Sequence, residues 1–277
     1  MKRLTTTLPA LLVTVLLTLF TAEASAVSLA IPDAGQLVVP AQLPLIAHRG
    51  AAMLAPENTI PAFDAAVALQ AESLELDVQM SRDGVLVVLH DSTVDRTTNG
   101  KGAVKELTFA ELRALDAGVK FDQTFRGTKV PTLDEVLTRY GRSTGLLLEL
   151  KVPSRYPGIE EKLAALLRQH QLDTADSNVV VHSFDSRSLQ QFHLHAPDVP
   201  VGVLIKRSDK LNEAQLRRYA AFADSIHPNL KLVTPSLVEQ VHELGMKIIP
   251  WTAQSPEDIQ VLAAAGVDAV ITDTFTR

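Results

Sequence analysis

The chain has 277 residues, of which 46% are hydrophobic and 21% charged, with 32 acidic and 26 basic side chains. This composition excludes a disordered protein, which would hold fewer apolar residues and a less balanced charge. The formal charge of −6 argues against nucleic acid as the main partner, because a phosphate backbone requires a basic surface. The absence of cysteine excludes disulfides, thiolate metal sites and a cysteine nucleophile.

The first 26 residues have the three-part pattern of a secretory signal peptide. Two basic residues precede an apolar run over Leu8–Phe20, and Ala24-Ser25-Ala26 supplies a cleavage site with small residues. The run is short for a membrane anchor, since a bilayer core needs about 20 apolar residues. We therefore predict an exported protein, periplasmic or secreted, that has no stable membrane anchor after cleavage. Residues 27–44 are predicted to form an extended lead-in.

From residue 45 onward, short apolar runs alternate with segments of helical periodicity. The runs are rich in Val, Ile and Leu, which is typical of strands buried on both faces of a parallel sheet. They lie at Leu45–His48, Ser73–Val78, Gly145–Lys151, Asn178–Phe184, Val201–Ile205, Ser225–Pro228, Lys247–Thr252 and Asp268–Thr272. Eight strand–helix units in about 250 residues predict an α/β fold, the (β/α)8 TIM barrel, with a doubly wound open sheet as the alternative.

The clearest helical patterns cover Ile159–Gln169 and Pro256–Ala265, where apolar residues recur at three- and four-residue spacing. Ser255 is predicted to be the N-cap of the second of these helices, with proline at its first position. Gly266 follows as the predicted C-terminal stop.

The second predicted strand is followed by Asp83-Gly84 and a further apolar run. Asp-Gly between two apolar runs favours a hairpin, which would return His90 to the neighbourhood of Asp77. Residues 91–130 are then predicted to form a small insertion after strand two, beside the mouth of the barrel. The next helix is predicted to begin near Thr132.

Active residues of such barrels lie at the carboxyl ends of the strands, which selects the candidates. Glu75 and Asp77 are two positions apart and face the same side of a strand, as do Glu149 and Lys151. Three carboxylates in one pocket of low dielectric constant require a counter-charge, and oxygen ligands favour Mg²⁺ or Ca²⁺ over zinc. The alternative is a layer of salt bridges in which Lys151 and Arg49 neutralise two acids.

A cation beside Arg49 and Lys151 is a combination that binds phosphate, because arginine offers a planar fork and lysine a point charge. His48 and His90 lie at predicted strand ends, each beside a charged residue. Near pH 7, imidazole can remove one proton and donate another, as cleavage of a phosphodiester requires. His182 also lies near a strand end, where a packing or hydrogen-bonding role is expected.

Taken together, these motifs resemble the glycerophosphodiester phosphodiesterase family. The resemblance covers residues 44–275, and its combination of motifs is far more specific than any single one. The matching segments are His48-Arg49-Gly50, Pro56-Glu57-Asn58-Thr59, Glu75-Leu76-Asp77-Val78, Asp83-Gly84, His90-Asp91, Arg96-Thr97-Thr98-Asn99-Gly100, Leu148-Glu149-Leu150-Lys151, Trp251-Thr252, Gly266-Val267-Asp268 and Ile271-Thr272-Asp273.

The resemblance implies a TIM barrel with a small insertion after strand two. It implies one divalent cation, Ca²⁺ or Mg²⁺, held by Glu75, Asp77 and Glu149. It also implies that His48 and His90 act as general acid and base.

The same resemblance places Arg49 and Lys151 at the phosphate and Trp251 against the glycerol moiety. Asn58 falls in the loop after strand one and is predicted to lie in or beside the site. The alternative for Asn58 is a helix N-cap, a position that asparagine favours.

Two departures from the family pattern lie at the rim. Thr274-Phe275 follows Asp273 where the family commonly has a proline, and Ala253-Gln254 stands where an asparagine is often found. Both positions bear on substrate selectivity and not on the metal site.

The activity implied is metal-dependent hydrolysis of glycerophosphodiesters, such as glycerophosphocholine or glycerophosphoethanolamine, to sn-glycerol 3-phosphate and an alcohol. One alternative is a lysophospholipase D or related lipid phosphodiesterase, although no amphipathic helix stands out as a membrane-surface binder. A second alternative is a non-catalytic exported protein that binds phosphorylated alcohols. The complete set of two histidines and three acids argues against a protein that only binds.

Overall fold

The computed structural model describes residues 43–275, so the predicted signal peptide and most of the predicted lead-in lie outside the described residues. The strands are β1 (Leu45–Ala47), β2 (Ser73–Met80), β3 (Leu86–Val88), β4 (Gly145–Leu150), β5 (Val179–Ser183), β6 (Val201–Ile205), β7 (Ser225–Pro228), β8 (Lys247–Ile248) and β9 (Val270–Thr272). The helices are α1 (Ile60–Ala68), α2 (Phe109–Ala114), α3 (Leu133–Tyr140), α4 (Ile159–Gln169), α5 (Ser186–His195), α6 (Glu213–Ala220), α7 (Pro235–Glu243) and α8 (Pro256–Ala265).

Eight of the strands form a parallel barrel in the order β8-β7-β6-β5-β4-β2-β1-β9. The ring is closed by backbone hydrogen bonds between the segment after β8 and β9. Ile271 N–H donates to the Pro250 carbonyl at 2.9 Å, and Ala253 N–H donates to the Ile271 carbonyl at 3.0 Å. The prediction of a (β/α)8 barrel is therefore confirmed, and the open doubly wound sheet is excluded.

The strand after the Asp83-Gly84 turn returns as predicted. β3 pairs antiparallel with β2, with Val88 opposite Val78. Gly84 has a φ of +84°, in the left-handed region that glycine enters without strain. Leu89 N–H then donates to the Asp77 carbonyl at 2.9 Å. The hairpin thus brings the segment that carries His90 beside the end of β2.

The two helices with the clearest sequence patterns, α4 and α8, have the predicted bounds. Ser255 caps α8 by accepting a hydrogen bond from Asp258 N–H at 3.2 Å, and Gly266 ends it with a φ of 84°. The predicted strand over Lys247–Thr252 is shorter in the structure. The assigned strand β8 ends at Ile248, before Pro250, which has no N–H to donate. Pairing with β7 continues beyond it, since the N–H groups of Ile249 and Trp251 donate to the carbonyls of Ile226 at 2.9 Å and Pro228 at 3.0 Å.

Residues 91–130 have a small apolar core of their own, which packs on the β3 arm, the segment Leu86–His90 that contains β3 and the two residues after it. Its members Val94, Val104 and Leu112 are fully buried against Val87 and Leu89. Helix α2 lies in this segment, and α3 follows with Thr132 and Glu135 in a capping box. Among residues 43–275, no helix is long and apolar enough to cross a membrane.

Candidate active site

Three carboxylates enter the barrel interior from the ends of two adjacent strands. Glu75 and Asp77 lie on the same face of β2, and Asp77 is in register with Glu149 on β4. Their exposed fractions are only 2%, 1% and 7%. The leucines that alternate with these acids point to the opposite face and are buried in the outer core. The strand pattern therefore places acids inside the barrel without removing apolar residues from the packing.

Asp77 is the most fully paired of the three acids. Asn58 Nδ2 donates to Asp77 Oδ2 at 2.7 Å, and Asn58 Oδ1 accepts from Asp77 N–H at 3.1 Å. Lys151 Nζ lies 3.4 Å from Asp77 Oδ1, and Arg49 Nε lies 3.5 Å from Oδ2. Burial alone would raise the pKa of Asp77, but Lys151 and Arg49 outweigh it and lower the pKa to about 2. Asn58 therefore lies beside the site, and Thr59 takes the N-cap position of α1.

Glu75 and Glu149 meet His182, which projects from β5. One ligand atom of each residue lies within 4.8 Å of the other two, and all three are buried. Burial, followed by the charge of Asp77, raises the pKa of Glu75 and of Glu149. His182 Nε2 and Asp77 Oδ1 are buried atoms with no hydrogen-bond partner. Buried carboxylates beside a histidine nitrogen and a carboxylate oxygen that make no hydrogen bond fit a divalent cation.

The predicted ligands and the observed cluster differ by one residue. The prediction combines Glu75, Asp77 and Glu149, whereas the structure groups the two glutamates with His182 and turns Asp77 toward Lys151, Arg49 and Asn58. The ligand role of Asp77 stays a prediction. The sequence missed His182 as a possible nitrogen ligand because its position near a strand end is also typical of a packed histidine.

Two cations lie among the acids. Lys151 Nζ is 2.8 Å from Glu149 Oε1, and Arg49 donates its backbone N–H to Glu75 Oε2 at 2.9 Å. The Asp77 and Glu149 charges outweigh the burial of Lys151 and raise its pKa. The salt-bridge alternative therefore accounts for part of the charge. Two cations leave one of three carboxylates without a counter-charge, and this imbalance favours an additional cation.

The two predicted catalytic histidines each bind a carboxylate through Nδ1. His48 Nδ1 is 2.7 Å from Asp273 Oδ1, and His90 Nδ1 is 2.7 Å from Asp91 Oδ1. Burial would lower the pKa of His48, but the hydrogen bond that its Nδ1 donates to Asp273 and the charge of Glu75 raise it overall. With Nδ1 engaged, Nε2 is the ring atom of each histidine that is available for proton transfer.

A cavity of about 100 Å³ at the carboxyl ends of the strands collects most of the predicted site residues. Asp77 and Asn58 are the exceptions, because they lie buried behind it. Aromatic rings of Phe184 and Trp251 form one wall, with their centroids 5.5 Å apart in an edge-to-face arrangement. The lining comprises His48, Arg49, Glu75, His90, Glu149, Lys151, His182, Phe184, Leu204, Trp251, Thr252 and Ile271.

An ion-pair chain joins the loops that carry the two histidines. Arg96, from the insertion, lies 2.7 Å from Asp91 through Nε and 2.7 Å from Glu57 through Nη1. Glu57 in turn pairs with Arg49 Nη1 at 3.0 Å. The spacing along the sequence indicated none of these pairs, since Arg96 and Glu57 are 39 residues apart.

Gln79 holds the backbone on both sides of His90. Its Nε2 donates to the carbonyls of Leu89 at 2.5 Å and Asp91 at 2.7 Å, while Tyr156 Oη donates to its Oε1 at 2.6 Å. Gln79 is 1% exposed, so this clamp is fully inside the protein. It fixes the direction in which the β3 arm presents His90.

Behind His182 lies a second histidine on β7. His182 Nδ1 and His227 Nδ1 are 3.0 Å apart, and His227 Nε2 is 2.9 Å from Ser225 Oγ. A hydrogen bond between two Nδ1 atoms requires that one carries the proton and the other accepts it. Burial lowers the pKa of His182 to about 3 and that of His227 well below its usual value, so both are neutral. Gly202 makes room for this pair, because a Cβ there would lie 2.6 Å from the His227 ring.

The fold and the site define a class of protein. It is a TIM-barrel protein whose mouth combines two carboxylate-bound imidazoles, carboxylates that fit a divalent cation, and two cationic side chains suited to phosphate. Phosphodiester hydrolases with a TIM-barrel fold belong to this class.

Comparison with known proteins identifies the family. The Glycerophosphoryl diester phosphodiesterase family model matches residues 48–276. A glycerophosphodiester phosphodiesterase of Caldanaerobacter subterraneus subsp. tengcongensis is 42% identical over 232 residues, which cover 83% of this chain and 93% of the relative. A glycerophosphodiester phosphodiesterase of Bacillus subtilis is 36% identical over 252 residues, 86% of each chain.

Solved structures agree with these relatives. An Oleispira antarctica phosphodiesterase in complex with the product sn-glycerol-3-phosphate is 31% identical, with a TM-score of 0.74 over 83% of this chain and 93% of that one. A glycerophosphodiester phosphodiesterase from Agrobacterium tumefaciens is 30% identical, with a TM-score of 0.72 over 84% and 97% of the two chains. The chain therefore belongs to the glycerophosphoryl diester phosphodiesterase family, as its motifs predicted.

Proposed function

We propose that the chain hydrolyses glycerophosphodiesters to sn-glycerol 3-phosphate and an alcohol, by metal-assisted acid–base catalysis. One observation carries this proposal. In a chain of this family, a single small cavity is lined by both carboxylate-paired histidines, two buried glutamates, and the cations Arg49 and Lys151. The product-bound Oleispira relative supports sn-glycerol 3-phosphate as the common product.

Glu75 and Glu149 would hold one divalent cation, with Asp77 as the third acid that the sequence predicts. Carboxylate ligands favour Ca²⁺ or Mg²⁺. When bound, the cation would supply Lewis-acid stabilisation of the charge that develops on the phosphoryl oxygens.

Arg49 and Lys151 would bind and orient the phosphate. Both line the cavity, and both keep their positive charge because nearby carboxylates raise their pKa. The buried carboxylate of Asp77 forms ion pairs with both Arg49 and Lys151, so the positions of these two cations are set before substrate binds. Preorganised charge of this kind stabilises a transition state without reorganisation during the reaction.

His48 is proposed as the proton donor to the leaving alcohol and His90 as the base. Asp273 supports the protonated form of His48 and raises its pKa. The partner of His90 is shared, because Asp91 is also bound by Arg96. Arg96 and Asp91 together fix the His90 ring at the cavity, with Nε2 available to accept a proton.

Two routes are consistent with these groups. His90 can deprotonate a water molecule that attacks phosphorus, or it can deprotonate the 2-hydroxyl of the substrate's own glycerol. The second route forms a cyclic phosphate that water then opens. Following the reaction by ³¹P NMR separates the routes, since only the second produces a transient cyclic phosphate signal.

The proposed activity is tested by incubating the purified protein with glycerophosphocholine and measuring choline and sn-glycerol 3-phosphate. The test is repeated after removal of metal by a chelator and separate readdition of Ca²⁺ and Mg²⁺. Activity is expected to disappear on chelation and to return with at least one of the two ions. Binding of substrate without turnover under all conditions would contradict the proposal and favour the binding-protein alternative. Turnover that survives thorough chelation would remove the cation from the mechanism.

We further propose that the mature protein is exported after cleavage behind Ala26. The support for this is the basic, apolar and small-residue pattern of the first 26 residues. N-terminal sequencing of protein from the periplasm or medium should begin at Val27, whereas protein found only inside the cell with Met1 would contradict export.

A further inference from the structure

A groove of about 630 Å³ opens from the catalytic cavity across the ends of β4, β5 and β6. The groove and the cavity share Glu149, Lys151 and Phe184 in their linings. A substituent on a phosphate bound at Lys151 can therefore enter the groove without leaving the mouth of the barrel. This volume is within the range of small-molecule binding sites, about 300–1,000 Å³.

Two exposed cations lie along this groove. Lys206 follows β6, and Arg187 is in the first turn of α5. Within residues 43–275, neither makes an ion pair with a carboxylate. The nearby Asp185 is engaged in capping α5, where it accepts hydrogen bonds from the backbone N–H groups of Arg187 at 3.0 Å and Ser188 at 3.2 Å. The lining as a whole holds three cations (Lys151, Arg187 and Lys206) and two carboxylates (Glu149 and Asp185). Because Lys151 is paired with Glu149, Lys206 and Arg187 give the outer part of the groove a net positive charge.

Lys206 also occupies the position that a cationic headgroup would take. Its Nζ lies 5.0 Å from the centroid of the Phe184 ring, and the ring meets Trp251 edge to face. A quaternary ammonium binds best over an aromatic face. Here that face is covered by an ammonium group, so a choline or ethanolamine substituent entering the groove would meet a like charge.

The hydroxyl groups of Ser154 and Ser186 complete the polar lining and can bind hydroxyls of a ligand. We infer that the groove binds the alcohol substituent of the substrate and favours a polyol that carries additional negative charge over a cationic amino alcohol. This selectivity rests on the proposed function, and it names the substrate class that the same site prefers.

The test compares kcat/KM for three substrates at low ionic strength: glycerophosphoinositol 4-phosphate, glycerophosphoinositol and glycerophosphocholine. The wild type is expected to prefer them in that order. Lys206→Glu and Arg187→Glu should each lower the ratio of the first to the third about tenfold, since charge reversal doubles the effect of one exposed charge. Addition of salt should reduce the wild-type preference, because exposed charges are screened.

Lys247→Glu is the matched control. Lys247 is an exposed lysine at the amino end of β8, at the opposite end of the barrel, so its reversal should leave the ratio unchanged. The neutral variant Lys206→Gln should give an intermediate ratio, which keeps the test valid if a charge-reversed variant folds poorly.

The outcomes separate two failures. If all three substrates are hydrolysed but Lys206→Glu, Lys206→Gln and Arg187→Glu keep the wild-type ratio, the inferred selectivity is wrong while the proposed function stands. If the wild type hydrolyses none of the three in the presence of Ca²⁺ or Mg²⁺, the proposed function itself is wrong.

Discussion

Two pairs of histidines in this barrel show how the same side chain takes opposite properties from its partners. His48 and His90 line the open cavity, and each is bound to a carboxylate. His182 and His227 are 1% and 0% exposed and are bound to each other. The carboxylate raises the pKa of His48, whereas burial lowers the pKa of His182 and His227. The first pair is suited to exchange protons, and the second to hold fixed positions.

The largest effect is expected from removing either member of the open pair. His48→Ala and His90→Ala should each lower kcat on glycerophosphocholine by about 10²–10⁴-fold, because each removes a group that transfers a proton in the proposed mechanism. His195→Ala, an exposed histidine at the end of α5, is the control and should keep wild-type turnover. Near-full turnover in both cavity variants would show that these histidines are not the acid and base.

The acids beside the buried pair give the next prediction, which concerns stability. Glu75 and Glu149 have raised pKa values, so the folded cation-free protein binds more protons than the unfolded chain. Its stability should therefore fall as pH rises from the unfolded carboxyl pKa through the raised folded values. A bound cation favours the ionised acids, so its stabilising effect should grow over the same range, reaching about 2.7 kcal/mol at 100 times Kd.

Melting temperatures at pH 5 and pH 8, with and without Ca²⁺ or Mg²⁺, test this prediction. The increase caused by the cation should be larger at pH 8. In the variants Glu75→Gln and Glu149→Gln, the increase in melting temperature caused by the cation should differ less between pH 5 and pH 8. An equal increase at both pH values in the wild type would contradict cation binding by these acids.

Breaking the buried pair should cost stability. His227→Leu leaves His182 Nδ1 and Ser225 Oγ without their partner, and an unpaired buried polar group costs about 1–3 kcal/mol. Ser225→Ala removes only the last hydrogen bond of the series His182–His227–Ser225 and should lower the free energy of unfolding by less. Urea unfolding measures both variants, and a His227→Leu protein as stable as the wild type would show that the pair contributes nothing to the fold.

The smallest effect should come from replacing Asp273, whose carboxylate binds His48 Nδ1. Asp273→Asn removes the charge that raises the His48 pKa, so the alkaline limb of the kcat/KM profile should move to lower pH. Asp268→Asn is the control, because Asp268 Oδ2 also contacts a histidine, lying 3.0 Å from His242 Nε2, and neither residue lines the cavity. An unmoved limb in Asp273→Asn would exclude His48 as the proton donor.

Local patterns in the sequence were sufficient to predict that the acids share one face of the sheet and that β2 folds back in a hairpin. Two carboxylates two positions apart on one strand point to the same face of the sheet. Asp-Gly between two apolar runs specifies a tight turn. Both patterns lie within a few residues of the sequence. Partners that come from distant parts of the chain could not be predicted in this way. Asp273 is 225 residues from His48, and His227 is 45 residues from His182. The lateral order of the strands brings them together, since β1 pairs with β9 and β5 and β7 flank β6, so both were missed as partners.

Asn58 illustrates a related limit. Its position before α1 is compatible with a helix cap, yet the structure uses Thr59 there and directs the Asn58 amide to Asp77. Local preference favours asparagine at a cap, but a buried carboxylate provides a stronger partner for its donor. The choice depends on a strand that lies 19 residues further along the chain.

A crystal structure with Mn²⁺ and sn-glycerol 3-phosphate, using anomalous scattering to locate the ion, tests the site most directly. The ion is expected between Glu75 and Glu149, and its contacts will decide whether Asp77 or His182 completes the set. The phosphate is expected to contact Arg49 and Lys151, with His48 and His90 on either side of phosphorus. An ion bound away from both glutamates, or a phosphate outside the reach of the two imidazoles, would contradict the proposed chemistry.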